Sequence, residues 1–157
     1  MHKNVSWPSL LLGVVGCRID RATKPAPSDL AFTIAVSRAT LRAGEPDTIV
    51  VSAANLTADS MVITFPHGCQ VLPYIRDGQG RAVLPPGGNW LCTTVISQLR
   101  LGPRQVKEYR FVWTGSTAFA SEMPLVALAP GTYYISATLA TPELPLEAGP
   151  VAVQLLP

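Results

Sequence analysis

LAFTIAVS, residues 30–37, sets Leu30, Phe32, Ile34 and Val36 on one side of an extended chain and Ala31, Thr33, Ala35 and Ser37 on the other. Successive side chains of a strand point to opposite faces, so this period of two reads as a strand with one face toward a core. The same rhythm recurs downstream. After the punctuation of Ala43-Gly44-Glu45-Pro46-Asp47, residues 48–55 place Ile49, Val51 and Ala53 in phase, and a turn at 56–60 leads to a further run at 61–65. Residues 71–76 meet Asp77-Gly78-Gln79-Gly80, a hairpin signal, and 81–84 return from it. Residues 92–101 run as a strand to Gly102-Pro103, and 105–114 align Tyr109, Phe111 and Trp113 on one face, an aromatic row suited to a core between sheets. Residues 133–141 and 151–156 complete the series. About eight or nine short strands without a helical period predict an all-β fold, an antiparallel immunoglobulin-like β-sandwich.

Composition agrees with that reading. The 157 residues are 48% hydrophobic and 14% charged, enough apolar material for one domain with a real core. Fifteen prolines and twelve glycines fall between the apolar runs as turn residues. The net charge of +2 has no block of lysine or arginine behind it, which argues against a nucleic-acid binder, since phosphate contacts need a basic stripe.

The first residues are read separately. Lys3 and the amino terminus precede an apolar stretch, 5–16, that is too short to span a bilayer as a helix and has the layout of an export signal. It ends in Val14-Val15-Gly16-Cys17, which resembles the bacterial lipobox. That resemblance implies cleavage before Cys17 and lipidation of its thiol. Residues 1–16 are therefore expected to be a signal peptide, 17–28 a flexible, proline-containing tether, and 29–157 the folded domain of an exported lipoprotein of the bacterial cell envelope. Asn55-Leu56-Thr57 spells a glycosylation sequon, which in a bacterial chain reads as incidental.

Export also sets the expectation for Cys69 and Cys92. They are an even pair in a compartment where disulfides persist, and closing their loop of about 24 residues is worth roughly 3 kcal/mol in the chain-entropy model. A metal reading competes, because His67-x-Cys69 with Cys92 offers imidazole and thiolates that suit copper or zinc. Only three ligands are present, and the second histidine, His2, lies in the leader. A disulfide is thus the expected use, and neither metal nor cofactor is assigned.

The order of short motifs along the domain carries a family resemblance. Val50-Val51-Ser52-Ala53-Ala54-Asn55, Ile63-Thr64-Phe65, His67-Gly68-Cys69-Gln70, the segment 77–83 with its Gly80, Leu101-Gly102-Pro103, Phe111-Val112-Trp113 and Pro130-Gly131-Thr132-Tyr133 follow one another over residues 43–139. In this succession the chain resembles the BsuPI-type intracellular proteinase inhibitor domain. The resemblance implies an immunoglobulin-like sandwich and proteinase inhibition, and it transfers no reactive-site residue. The chain departs from the family where a tryptophan-rich segment is reduced to Trp90 and where Gly102-Pro103-Arg104 replaces proline-glycine-glutamate.

Enzymatic chemistry has little support in the residues. His67 is the one histidine after the leader, no nucleophile-elbow pattern surrounds a serine, and the closest carboxylates, Glu45 and Asp47, fall in a turn where acidic groups are usually solvated. No catalytic residue is assigned. The expected function is a non-enzymatic module that binds a protein partner, in the inhibitory reading a proteinase; the alternative is an accessory envelope domain without inhibitory activity. Contact with a partner is expected from two loops: 85–91, carrying Trp90, and 115–129, carrying Phe119 and Met123. Membrane contact is expected through the lipid alone.

Overall fold

Alternating burial along each apolar run shows how the period of two is used. The computed structural model describes residues 25–120 and 126–157. Ten strands are formed among them: β1 (Leu30–Val36), β2 (Thr40–Arg42), β3 (Asp47–Asn55), β4 (Met61–Phe65), β5 (Val71–Arg76), β6 (Ala82–Leu84), β7 (Ser97–Leu101), β8 (Val106–Trp113), β9 (Gly131–Leu139) and β10 (Glu147–Leu156). In β3 every odd residue from Asp47 to Asn55 is buried and every even one is half-buried, so Ile49, Val51 and Ala53 face inward as their spacing requires.

One sheet has the order β1-β3-β8 and a second the order β2-β10-β9-β5-β6, while β4 pairs with β7. All pairings are antiparallel except that of β2, which runs parallel to β10 with Leu41 opposite Leu155. The β3–β8 ladder, with Ala54 opposite Val106, resumes as β4–β7, with Met61 opposite Leu101, beyond a break at 56–60 and 102–105. Asn55, 2% exposed, closes that break. Its Nδ2 donates to the carbonyls of Asp59 and Gly102, both at 2.8 Å, and its Oδ1 accepts from the Thr57 amide at 2.9 Å and hydroxyl at 2.8 Å. An amide nitrogen so buried and engaged is no acceptor for a glycan, in keeping with the incidental sequon.

The core is one cluster lying between the inner faces. It includes Ile49 and Val51 of β3, Phe65 of β4, Ile75 of β5, Ile135 of β9, and Val153 and Leu155 of β10, all fully buried. Trp113 at the end of β8 meets Tyr133 of β9 edge-on at 5.8 Å and donates its Nε1–H to the Ser116 carbonyl at 2.8 Å, so the aromatic row does end inside the sandwich. This is an immunoglobulin-like β-sandwich.

Local departures from the sequence reading have local causes. Residues 92–96 do not join the strand expected over 92–101, which begins only at Ser97. Asp47 is not a solvated turn residue: it opens β3 fully buried, where Oδ1 accepts from the Ser37 hydroxyl at 2.7 Å and the Arg38 amide at 3.0 Å. Glu45 stays outside, accepting from the Arg42 amide and lying 3.6 Å from Arg38. Pro27–Asp29 forms a 3-10 turn leading into β1, closed by reciprocal bonds between Ala26 and Asp29. The expected signal peptide, Cys17 and residues 17–24 of the tether lie outside the described residues.

Candidate functional site

The β6–β7 connection spans residues 85–96 and contains the loop, 85–91, from which the sequence led us to expect partner contact. It leaves β6 through Pro85 and a 3-10 turn, Pro86–Gly88, in which Gly87 and Gly88 adopt φ of +74° and +78°, a left-handed conformation that favours glycine. Cys92 is then bonded to Cys69 with 5.5 Å between their Cα atoms. The bond ties the loop to the segment entering β5. Backbone contacts reinforce it: the Gly68 amide donates to the Thr93 carbonyl at 2.9 Å, and a Cβ on Gly68 would collide with the Thr93 hydroxyl. The disulfide is consistent with an oxidising, extracytoplasmic environment. No helix among the described residues is long and apolar enough to cross a membrane.

Trp90 is held from two sides. Its Nε1–H donates to the Pro73 carbonyl at 2.9 Å, and its ring lies parallel to that of Phe119 with centroids 6.0 Å apart. Phe119 in turn meets Phe111 of β8 at 5.2 Å. The structure therefore brings Trp90 and Phe119 together, although 29 residues separate them in sequence. It also corrects the role expected of Phe119: at 4% exposure it has almost no surface for a partner and acts as the floor under Trp90. Trp90 is half-buried. Met123 lies outside the described residues.

Beside this stack is a groove of about 560 Å³, lined by Val71, Leu72 and Pro73 of β5, Phe111 and Val112 of β8, Cys69, Arg110, Phe119, Trp90 and Leu91. Its walls are mainly apolar, which suits desolvation of a nonpolar group rather than proton transfer. The expected loop, 85–91, includes Leu91 but leaves out two further exposed apolar residues, Val95 and Ile96. Leu91 is 98% exposed, Val95 67% and Ile96 69%. Their strand-like spelling had placed Val95 and Ile96 within a sheet. Beside the disulfide lies His67, whose Nδ1 is buried without a hydrogen-bond partner and whose carbonyl accepts from the Ser97 hydroxyl at 2.9 Å. Tyr109 of β8 donates its hydroxyl to Gln70 Oε1 at 2.8 Å, and burial pushes its phenol up to about 12.

A disulfide-tied immunoglobulin-like sandwich with an apolar loop at one end is the class that fold and site define. No family model matches the chain, and no curated protein matches it. Among solved structures it is similar to the CARDB domain of the PF1109 protein from Pyrococcus furiosus, solved in complex with di-metal ions, at 19% identity and a TM-score of 0.48 over 82% of this chain and 88% of that one. It is also similar to a β-glucosidase of Erythrobacter marinus, at 17% identity and a TM-score of 0.47 over 81% of this chain. A β-glucosidase of Listeria innocua, in complex with glucose, gives 14% and 0.44 over 80%. The chain spans about 15% of the length of the first glucosidase and 16% of the second. At these identities, and with TM-scores below 0.5, none of these likenesses assigns a role to this chain.

Proposed function

We propose that this domain is a non-enzymatic protein-binding module of the bacterial cell envelope, tethered through a lipidated Cys17, that engages its partner with the 85–96 loop. The observation that carries this reading is the exposure of Leu91, Val95 and Ile96 on one loop pinned by a disulfide. Large apolar side chains clustered on a soluble surface gain free energy when a partner covers them, and a loop fixed in advance loses little entropy on binding. A proteinase is the partner class supported by the order of motifs shared with the BsuPI-type domain. Trp90 then serves as a support, stacked and hydrogen-bonded beneath the contact surface.

The test separates contact from support. The chain is assayed for inhibition of a panel of serine proteinases, and Leu91→Ser and Trp90→Ala are compared with it in affinity and thermal stability. Leu91→Ser should weaken the complex by about 2 kcal/mol, roughly thirtyfold in Kd, with the melting temperature unchanged. Trp90→Ala should lower the melting temperature as well, because it removes a stacked ring and strands the Pro73 carbonyl. Absence of inhibition together with binding to a non-proteolytic envelope protein would transfer the loop to the accessory reading. Undiminished affinity in Leu91→Ser would remove the loop as the contact surface. Localisation is tested apart: Cys17→Ser should abolish lipid labelling, and an equally labelled variant would remove the anchor.

A further inference from the structure

His67, Cys69 and Cys92 form a second constellation: the disulfide that pins the partner-binding loop lies beside a histidine that the loop contact does not use. One ring nitrogen of His67 and the two sulfurs all lie within 4.8 Å of one another. The three residues are half-buried, and a cavity of about 510 Å³ lined by His67, Cys92, Thr93 and Trp90 opens beside them. With the disulfide intact the sulfurs are bonded to each other and are poor ligands. We propose that reduction of Cys69–Cys92 converts this cluster into a three-coordinate site for Cu(I), held by two thiolates and the His67 imidazole.

The chemistry selects both the oxidation state and the metal. A dithiol reductant supplies the two electrons and two protons that turn the disulfide into two thiols and is itself oxidised to a disulfide. Binding of Cu(I) then displaces the two thiol protons and forms two Cu–S bonds and one Cu–N bond, with no further change of oxidation state. Soft thiolates favour Cu(I), which is satisfied by few ligands, whereas a structural Zn(II) site almost always takes four. Only three are gathered among the described residues. Two features keep them gathered once the covalent bond is gone. The Gly68 amide still bonds to the Thr93 carbonyl, and the absence of a Cβ at Gly68 lets the 67–69 and 92–94 segments stay in close contact. His67 Nδ1, buried and unpartnered, shows that the protein's hydrogen bonds do not already engage that side of the ring.

The experiment uses the full chain carrying Cys17→Ser, so that Cys69 and Cys92 are its only thiols. The chain is reduced by a dithiol, freed of reductant under anaerobic conditions, and titrated with Cu(I) against a coloured Cu(I) chelator, with circular dichroism recorded throughout. One equivalent should transfer to the reduced chain, with thiolate-to-copper charge-transfer absorption in the ultraviolet, and none to the disulfide form. His67→Ala should weaken binding at least tenfold, since loss even of an outer partner of a metal ligand typically costs about 10- to 100-fold. The proposal is overturned if the reduced chain takes up no Cu(I), or if His67→Ala binds with unchanged affinity. Uptake of Zn(II) in preference to Cu(I) overturns it, and so does loss of the sheet signal on reduction, because the site depends on the folded frame.

Discussion

Replacing Asn55 with alanine should cost this protein about 3 kcal/mol. The side chain sits where the β3–β8 ladder breaks before resuming as β4–β7, and it satisfies main-chain groups that the break leaves without ladder partners. Alanine would remove the Nδ2 bonds to the Asp59 and Gly102 carbonyls, each 2.8 Å, and leave those carbonyls only the Thr57 hydroxyl and the Gln105 amide as donors; it would also remove the acceptor of the Thr57 amide, 2.9 Å from Oδ1. Each lost bond is worth about 1 kcal/mol net, and because Asn55 is buried, water replaces them poorly. For a domain of this size about 3 kcal/mol corresponds to a fall of roughly 10 °C in melting temperature. Urea denaturation should show a lower midpoint at unchanged slope, the signature of a stability change in a two-state domain. Asn55→Asp should lose at least as much near neutral pH, since it places an acceptor opposite two carbonyls. Thr57→Ala, which keeps the amide bond to Oδ1 but removes the hydroxyl's contacts with Asn55 Oδ1 and with the Asp59 carbonyl and amide, should cost less, about 1 kcal/mol, because two of those contacts are exposed to water. A loss below about 1 kcal/mol in Asn55→Ala would refute the claim that this side chain holds the break together.

Three further outcomes are expected. Gly149→Ala should destabilise by about 3 kcal/mol in the same urea assay, because Gly149 has φ of +96° at the irregularity in β10 and its Cβ would lie 2.7 Å from the Ile135 carbonyl oxygen. Stability should fall as pH rises from about 10 toward about 12: burial raises the folded-state phenol of Tyr109 above its unfolded value, so the unfolded chain releases that proton first. Tyr109→Phe should flatten the decline between those limits when the midpoint is followed against pH. Cys92→Ser should lower stability by about 3 kcal/mol through the freed loop, while in the native chain both thiols should resist alkylation until a reductant is added.

Much of the sheet was legible in advance because a strand's face is written into neighbouring residues. Ile49, Val51 and Ala53 alternate with less buried positions whatever else the chain does, and Asp77-Gly78-Gln79-Gly80 closes a hairpin through its own contacts, Asp77 Oδ1 accepting from the amides of Gln79 and Arg81. Cysteine number and the expected compartment likewise singled out Cys69 with Cys92. Residues 92–96 show the limit of such signals. Val95 and Ile96 have the composition of a strand, but they lie outside the ladder, which begins at Ser97, and their side chains meet solvent.

By itself, then, the sequence determined the all-β class, the principal hairpin and most strand faces, since these depend on alternation and turn chemistry within a few residues. Tertiary structure alone decided the rest. The three residues of β2 carry too short a pattern to be read, and they become a strand by lying parallel to β10, more than a hundred residues away. Asp47 looked like a solvated acid until the fold turned its side chain inward toward Ser37 and Arg38. Phe119 looked like a loop residue free for a partner until Phe111 and Trp90 closed over it. In each case burial is conferred by groups distant in the chain, and no local periodicity encodes which of them will arrive.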